Sequence, residues 1–154
     1  MIPIDSLRRV EILSGLTDEQ LARVASICQV VTFQSQESVV REGDPSDEMY
    51  VIYRGSVEIV LSKNRVTAES LSTPGPQAIV SLGQGQVFGE MALIDQGPRS
   101  ATVRCTTDDA LLYQIRRDAF ARLCEHDTDI GYKVMRNIAA DLSFKLRHRN
   151  LSWK

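Results

Sequence analysis

In Phe88 to Val103, reading FGEMALIDQGPRSATV, residue types and spacing could do chemistry together: a carboxylate, Glu90, and a guanidinium, Arg99, facing a common ligand. A carboxylate is an acceptor and wants hydroxyl donors, such as those of a sugar. A guanidinium offers planar, paired donors suited to a phosphate. Gly89 lets backbone approach a ligand with no side chain between. Met91-Ala92-Leu93-Ile94 can form one apolar helical turn, whose dipole and N–H groups around Glu90, Met91 and Ala92 would favour an anion. Ser100 and Ala101 can add a hydroxyl and backbone N–H groups at the same place, and Gly97-Pro98 can reverse the chain. An acid for a sugar hydroxyl and an arginine for phosphate imply a nucleotide with one compact, singly charged phosphate. A structural Glu90–Arg99 ion pair inside a packed turn explains the same residues, and on chemistry alone both readings stand.

Gly83, Gly85 and Gly89 come near a dinucleotide fingerprint, but the third glycine falls four positions after the second where three are required. They also lie among β-type runs, outside any βαβ unit.

The elements that must position these residues change period twice. Residues 1–15 read as a helical lead-in, with Leu7, Val10, Ile12 and Leu13 apolar and Ser14-Gly15 closing it. Thr17 followed by Gln20 has capping-box spacing, and Leu21, Val24, Ala25 and Cys28 predict an amphipathic helix over 18–28. From Gln29 the runs shorten: Val30–Phe33, Ser38–Val40, Met49–Tyr53, Val57–Leu61, Ala78–Leu82, Ala101–Cys105 and Ala110–Ile115 read as strands. Arg41–Pro45 and Arg54-Gly55-Ser56 read as turns, and Asn64–Pro76 as a long loop. Many short strands with glycine turns predict an antiparallel barrel or jelly roll. Asp118–Cys124 predicts a short helix. Ile130, Val134, Ile138, Leu142 and Leu146 then predict a longer one, whose stripe suits core or a dimer seam. Over residues 129–154 six basic side chains face two acidic ones, a solvated or partner-facing surface with no following helix to enter a DNA groove.

With 154 residues the chain is sized for one domain burying about two-thirds of its unfolded surface. A formal net charge of −2 gives no general drive toward nucleic acid or acidic membrane. No signal peptide or membrane-spanning run is legible, so no membrane partner is expected. Cys28, Cys105 and Cys124 are odd in number and widely spaced, which suits reduced thiols in the cytoplasm. His126 and His148 both fall late in the chain, so neither a zinc site nor a catalytic triad, nor a cupin-like metal cluster inside the strands, has residues to build on.

The central stretch is similar, nearly residue for residue, to the phosphate-binding cassette of the cyclic nucleotide-binding domain family, which includes cAMP-dependent protein kinase regulatory subunits and catabolite activator proteins. Phe88-Gly89-Glu90, Met91, Ala92-Leu93, Ile94, the spacer Asp95-Gln96-Gly97, Pro98-Arg99, Ser100 and Ala101 fill each position of that pattern. Arg41–Asp44, Met49–Ile52 and Gly55-Ser56-Val57 resemble the same β-roll. The resemblance implies an antiparallel β-jelly roll (a double-stranded β-helix) with N-terminal helices over 1–28, the roll over 29–116 with its cassette at 88–103, and C-terminal hinge or lid helices over 117–154. It implies that Glu90 binds the ribose 2′-hydroxyl and Arg99 the cyclic phosphate, with Gly89, Met91, Ala92, Ser100 and Ala101 lining both. Threonine at the Ser100 position would favour cGMP, so serine points to cAMP. Tyr132, Asn137 and Trp153 are candidates to cap the base.

The expected function is therefore a non-catalytic sensor, with no cofactor beyond its cyclic nucleotide ligand. Occupancy should draw the C-terminal helix over the pocket. No DNA-binding helix-turn-helix is expected before Lys154, so the output passes to a separate effector protein or a downstream domain, with a homodimer through the C-terminal helix as a further partner. The rival is a ligand-free interaction or dimerisation module on the same fold.

Overall fold

The computed structural model describes residues 2–61 and 77–152. The long loop expected over Asn64–Pro76 and the candidate Trp153 lie outside the described residues. Two compact units form, one from Met1–Ile27 with Asp118–Lys154 and one from Cys28–Arg117.

The second unit holds the cassette. Its strands are β1 (Cys28–Phe33), β2 (Ser38–Val40), β3 (Glu48–Arg54), β4 (Val57–Leu61), β5 (Gln77–Leu82), β6 (Val87–Phe88), β7 (Thr102–Cys105) and β8 (Ala110–Arg116). They make two antiparallel four-stranded sheets, ordered β1-β8-β3-β6 and β2-β7-β4-β5. This is the jelly roll that the turn spacing predicts, with β6 as an additional strand. Tyr50, Ile52, Phe88 and Leu112 from the first sheet pack with Val40, Val57, Val103 and Cys105 from the second to form the core. Met49 and Val51 are buried as well, so β3 is covered on both faces. That is why Met49–Ile52 reads as a continuous apolar run instead of alternating.

In the other unit, the lead-in is two 3-10 turns, Ile4–Ser6 and Glu11–Leu13, not a continuous helix. The capping box forms as spaced: Gln20 N–H donates to Thr17 Oγ1 at 3.2 Å, and Thr17 N–H donates to Gln20 Oε1 at 3.0 Å. It opens α1 (Asp18–Ile27). Gln20 also donates through Nε2 to Asp129 Oδ2 at 2.9 Å, and Lys133 Nζ lies 3.0 Å from the same oxygen. These two contacts, Gln20 first, hold the Asp129 carboxyl below its ordinary range. Two further helices follow, α2 (Arg117–His126) and α3 (Thr128–Ser152). The predicted α3 stripe divides: Ile130, Val134 and Ile138 are buried, Leu142 is half-buried and Leu146 is exposed. No helix among the described residues is long and apolar enough to cross a membrane.

The half-buried Cys28 at the start of β1 gives the Cys28–Arg117 unit an alkaline weakness. Desolvation pushes its thiol from an ordinary 9.0 up to about 12. The folded state then holds that proton more tightly than the unfolded chain does. The associated stability is complete below pH 9.0 and is lost as pH climbs toward about 12. One such group can contribute up to about 1.4 kcal/mol of loss per pH unit. Tyr50, raised chiefly by burial, adds its own loss above pH 10.0. Urea midpoints should therefore fall between about pH 8 and pH 10, and Cys28→Ala should flatten that fall. An unchanged slope in the variant would refute the assignment.

Candidate functional site

The cassette begins on β6, pinned to β3 by the pairs Tyr50↔Phe88 and Val51↔Val87. Phe88 is buried, and its ring stacks on Tyr50 with centroids 5.1 Å apart, a contact contributing about 1 kcal/mol beyond area burial. Gly89 follows in the left-handed region at φ +77°. A Cβ there would lie 2.6 Å from Arg99 Nη1 and 3.3 Å from Glu48 O. Glycine is thus required both for the turn and for the close approach of the guanidinium.

Glu90–Leu93 forms a four-residue 3-10 turn, packed against β3, in place of a regular helical turn. Ala92 and Leu93 face inward, whereas Met91 is 48% exposed. Two expectations change as a result. A turn this short adds little macrodipole, so the favourable field expected of a helix start is largely missing. The Ala92 N–H donates to Gly89 O at 3.0 Å, because a 3-10 turn closes its ring one residue sooner than an α-turn. The Ala92 amide therefore serves the turn.

Arg99 is buried, with only 6% of it exposed. Its N–H donates to Asp44 O at 2.8 Å and its carbonyl accepts from Gly43 N–H at 2.9 Å. Pro98 bridges to Pro45, and Ser46 N–H donates to Gly97 O at 3.1 Å. Gln96 Nε2 reaches Asp47 Oδ1 at 2.9 Å, and Thr102 Oγ1 accepts from Glu42 N–H at 3.0 Å. The segment 42–48, of which the sequence marked residues 41–45 as a turn, is thus the cradle of the cassette.

The guanidinium is anchored through Nη2, which donates to Glu48 O at 2.7 Å and lies 3.4 Å from Glu48 Oε1. A buried arginine needs such partners, since an uncompensated charge away from water is costly. Behind Glu48, the Tyr50 hydroxyl lies 3.4 Å from the same Oε1 and accepts from Gln114 Nε2 at 3.0 Å. Burial raises the Tyr50 phenol, the Gln114 hydrogen bond opposes that shift, and the Glu48 charge adds to it. Sequence reasoning missed Glu48, Tyr50 and Gln114. Glu48 lies 51 residues from Arg99 and 66 from Gln114, so no local spacing rule could join them.

Ser100 is exposed and Ala101 half-buried, between Arg99 and β7. Glu90 is half-buried at the head of the 3-10 turn. Of the candidates for capping a base, Tyr132 is 63% exposed on α3. Asn137 requires correction. Its Nδ2 donates to Ile12 O at 3.0 Å and Ser14 O at 2.9 Å, which commits the amide to the 3-10 turn Glu11–Leu13. Among the described residues no group of three His, Cys, Asp or Glu side chains could hold a metal ion.

The sequence model of the cyclic nucleotide-binding domain matches residues 30–127, from within β1 to just past α2. The chain belongs to that family. The chain is similar over 117 residues, at 32% identity, to the cAMP-dependent protein kinase regulatory subunit of Emericella nidulans, covering 76% of this chain and 26% of that protein. It is also similar to the cGMP-dependent protein kinase of Toxoplasma gondii, 25% identical over 140 residues, covering 91% of this chain and 13% of that one. The chain thus spans about a quarter or less of these relatives' lengths. Among solved structures, the regulatory domain of Toxoplasma gondii PKA with cAMP shares the fold at TM-score 0.73 and 24% identity, covering 91% of this chain and 48% of that one.

Proposed function

We propose that this cyclic nucleotide-binding domain is a non-catalytic sensor that binds cAMP, with cGMP the weaker ligand. One observation carries the reading: Arg99 is buried, gripped through Nη2, and lies with Nη1 against the glycine that opens the cassette. That arrangement suits a guanidinium held ready for a compact anion at little further ordering cost. On this reading Arg99 binds the cyclic phosphate and Glu90 the ribose 2′-hydroxyl, while Gly89, Met91, Ala92, Ser100 and Ala101 line the ligand. Serine at position 100 and the 32% identity to a cAMP-dependent kinase regulatory subunit favour adenine.

Occupancy is relayed by movement of α3, to a separate effector protein or a further domain. For this to work the ligand must bind one conformation more tightly than the other. Cys28, Cys105 and Cys124 as reduced thiols suit a cytoplasmic setting.

Thermal denaturation with cAMP, cGMP and AMP tests the proposal. A ligand at a hundred times its dissociation constant adds about 2.7 kcal/mol, or about 5–10 °C for a domain this size. The largest rise is expected with cAMP and the smallest with AMP. No shift with either cyclic nucleotide would favour the second reading, a ligand-free interaction module. That reading draws on α3, where Phe144 is 62% and Leu146 59% exposed.

A further inference from the structure

The guanidinium proposed to receive the phosphate already carries an anion of the protein's own. Glu48 Oε1 lies 3.4 Å from Arg99 Nη2, on a side chain only 22% exposed. The Tyr50 hydroxyl sits 3.4 Å from that oxygen, and Gln114 Nε2, 3.0 Å away, holds the hydroxyl in turn. The carboxylate therefore cannot swing into solvent without leaving its neighbours behind. The tighter contact, Arg99 Nη2 to Glu48 O at 2.7 Å, uses the backbone and needs no carboxylate. Positioning and charge are thus carried by different atoms of one residue.

Resting on the cyclic-nucleotide reading, we propose that the Glu48 carboxylate determines which phosphate charge the site accepts, favouring a singly charged phosphodiester over a doubly charged phosphomonoester. Arg99 and Glu48 together are formally neutral, so an arriving phosphate meets a guanidinium whose field is already partly cancelled. The repulsion from Glu48 scales with ligand charge. A cyclic phosphodiester carries one negative charge, whereas a phosphomonoester with a second pKa near about 6 carries nearly two at about pH 8. If Glu48 weakens the first by some factor, it weakens the second by about the square of that factor. Partial exposure keeps the factor modest, about three- to tenfold.

Glu48→Gln tests this because it keeps the size, the backbone carbonyl and an acceptor for Tyr50, and removes only the charge. Calorimetric titration with cAMP, and displacement of bound cAMP by AMP, are compared in the wild-type protein and the variant. The variant should bind cAMP about three- to tenfold tighter, and its gain for AMP should be larger still. Unchanged or weaker cAMP binding, an equal gain for both ligands, or no displacement by AMP from either protein overturns the proposal. Wild-type protein that binds neither cAMP nor cGMP overturns the cyclic-nucleotide reading and this inference with it. Binding by the wild type without the charge effect overturns this inference alone. Should Glu48→Gln lose its fold by circular dichroism, Glu48→Ala carries the same comparison, since the carbonyl contact survives.

Discussion

Arg99→Ala should weaken cAMP binding by about a hundredfold or more and lower the melting temperature in the same variant. The binding loss follows from removing charge-assisted bonds to a phosphate, which together amount to a few kcal/mol, with each 1.4 kcal/mol equal to about tenfold. The stability loss follows from the site itself. Arg99 Nη2 supplies a 2.7 Å hydrogen bond to Glu48 O, and removing it leaves an acceptor without that donor, at about 1–3 kcal/mol. The fold should persist, because the bonds tying residue 99 to Gly43 and Asp44 are made by backbone atoms. Calorimetry and thermal denaturation read the two effects separately. A variant with wild-type affinity would remove Arg99 from the ligand site altogether.

Gly89→Ala should damage stability and binding through one added methyl group. A left-handed backbone at φ +77° costs an L-residue about 1–2 kcal/mol. The new Cβ would also fall 2.6 Å from Arg99 Nη1, which has to retreat. Its retreat pulls against the Glu48 contacts, so the guanidinium can no longer hold its present place. We expect a fall of several degrees in melting temperature, at about 2–4 °C per kcal/mol, and about a tenfold or greater loss of cAMP affinity. Wild-type values for both would mean that neither the turn nor the close approach requires glycine. A loss of stability alone would separate backbone strain from displacement of Arg99.

Much of this architecture could be read from local pattern. The capping box at Thr17 and Gln20 forms because both partners lie within one turn of each other. The seven predicted strands are found within about two residues of their expected ends, since turn residues between short apolar runs act locally. Elsewhere local pattern was insufficient. The lead-in breaks into 3-10 turns, and Asn137 is engaged by carbonyls more than 120 residues away. The α3 stripe keeps a constant spacing but changes from buried to exposed along its length, which periodicity cannot register.

For the site, local sequence was enough to set the chemical types and their order: the glycine, the carboxylate, the apolar turn and the arginine, in a pattern shared with the cyclic nucleotide-binding domains. It also determined that the strands would be short and antiparallel. What holds the arginine depends instead on long-range packing. The partners of a buried guanidinium are chosen by proximity in space, and here β3 brings Glu48 and Tyr50, and β8 brings Gln114, to a residue far from them in the chain. The turn after Gly89 tightened to 3-10 form for a related reason: Ala92 and Leu93 are buried where it packs on β3, a constraint absent from the local sequence.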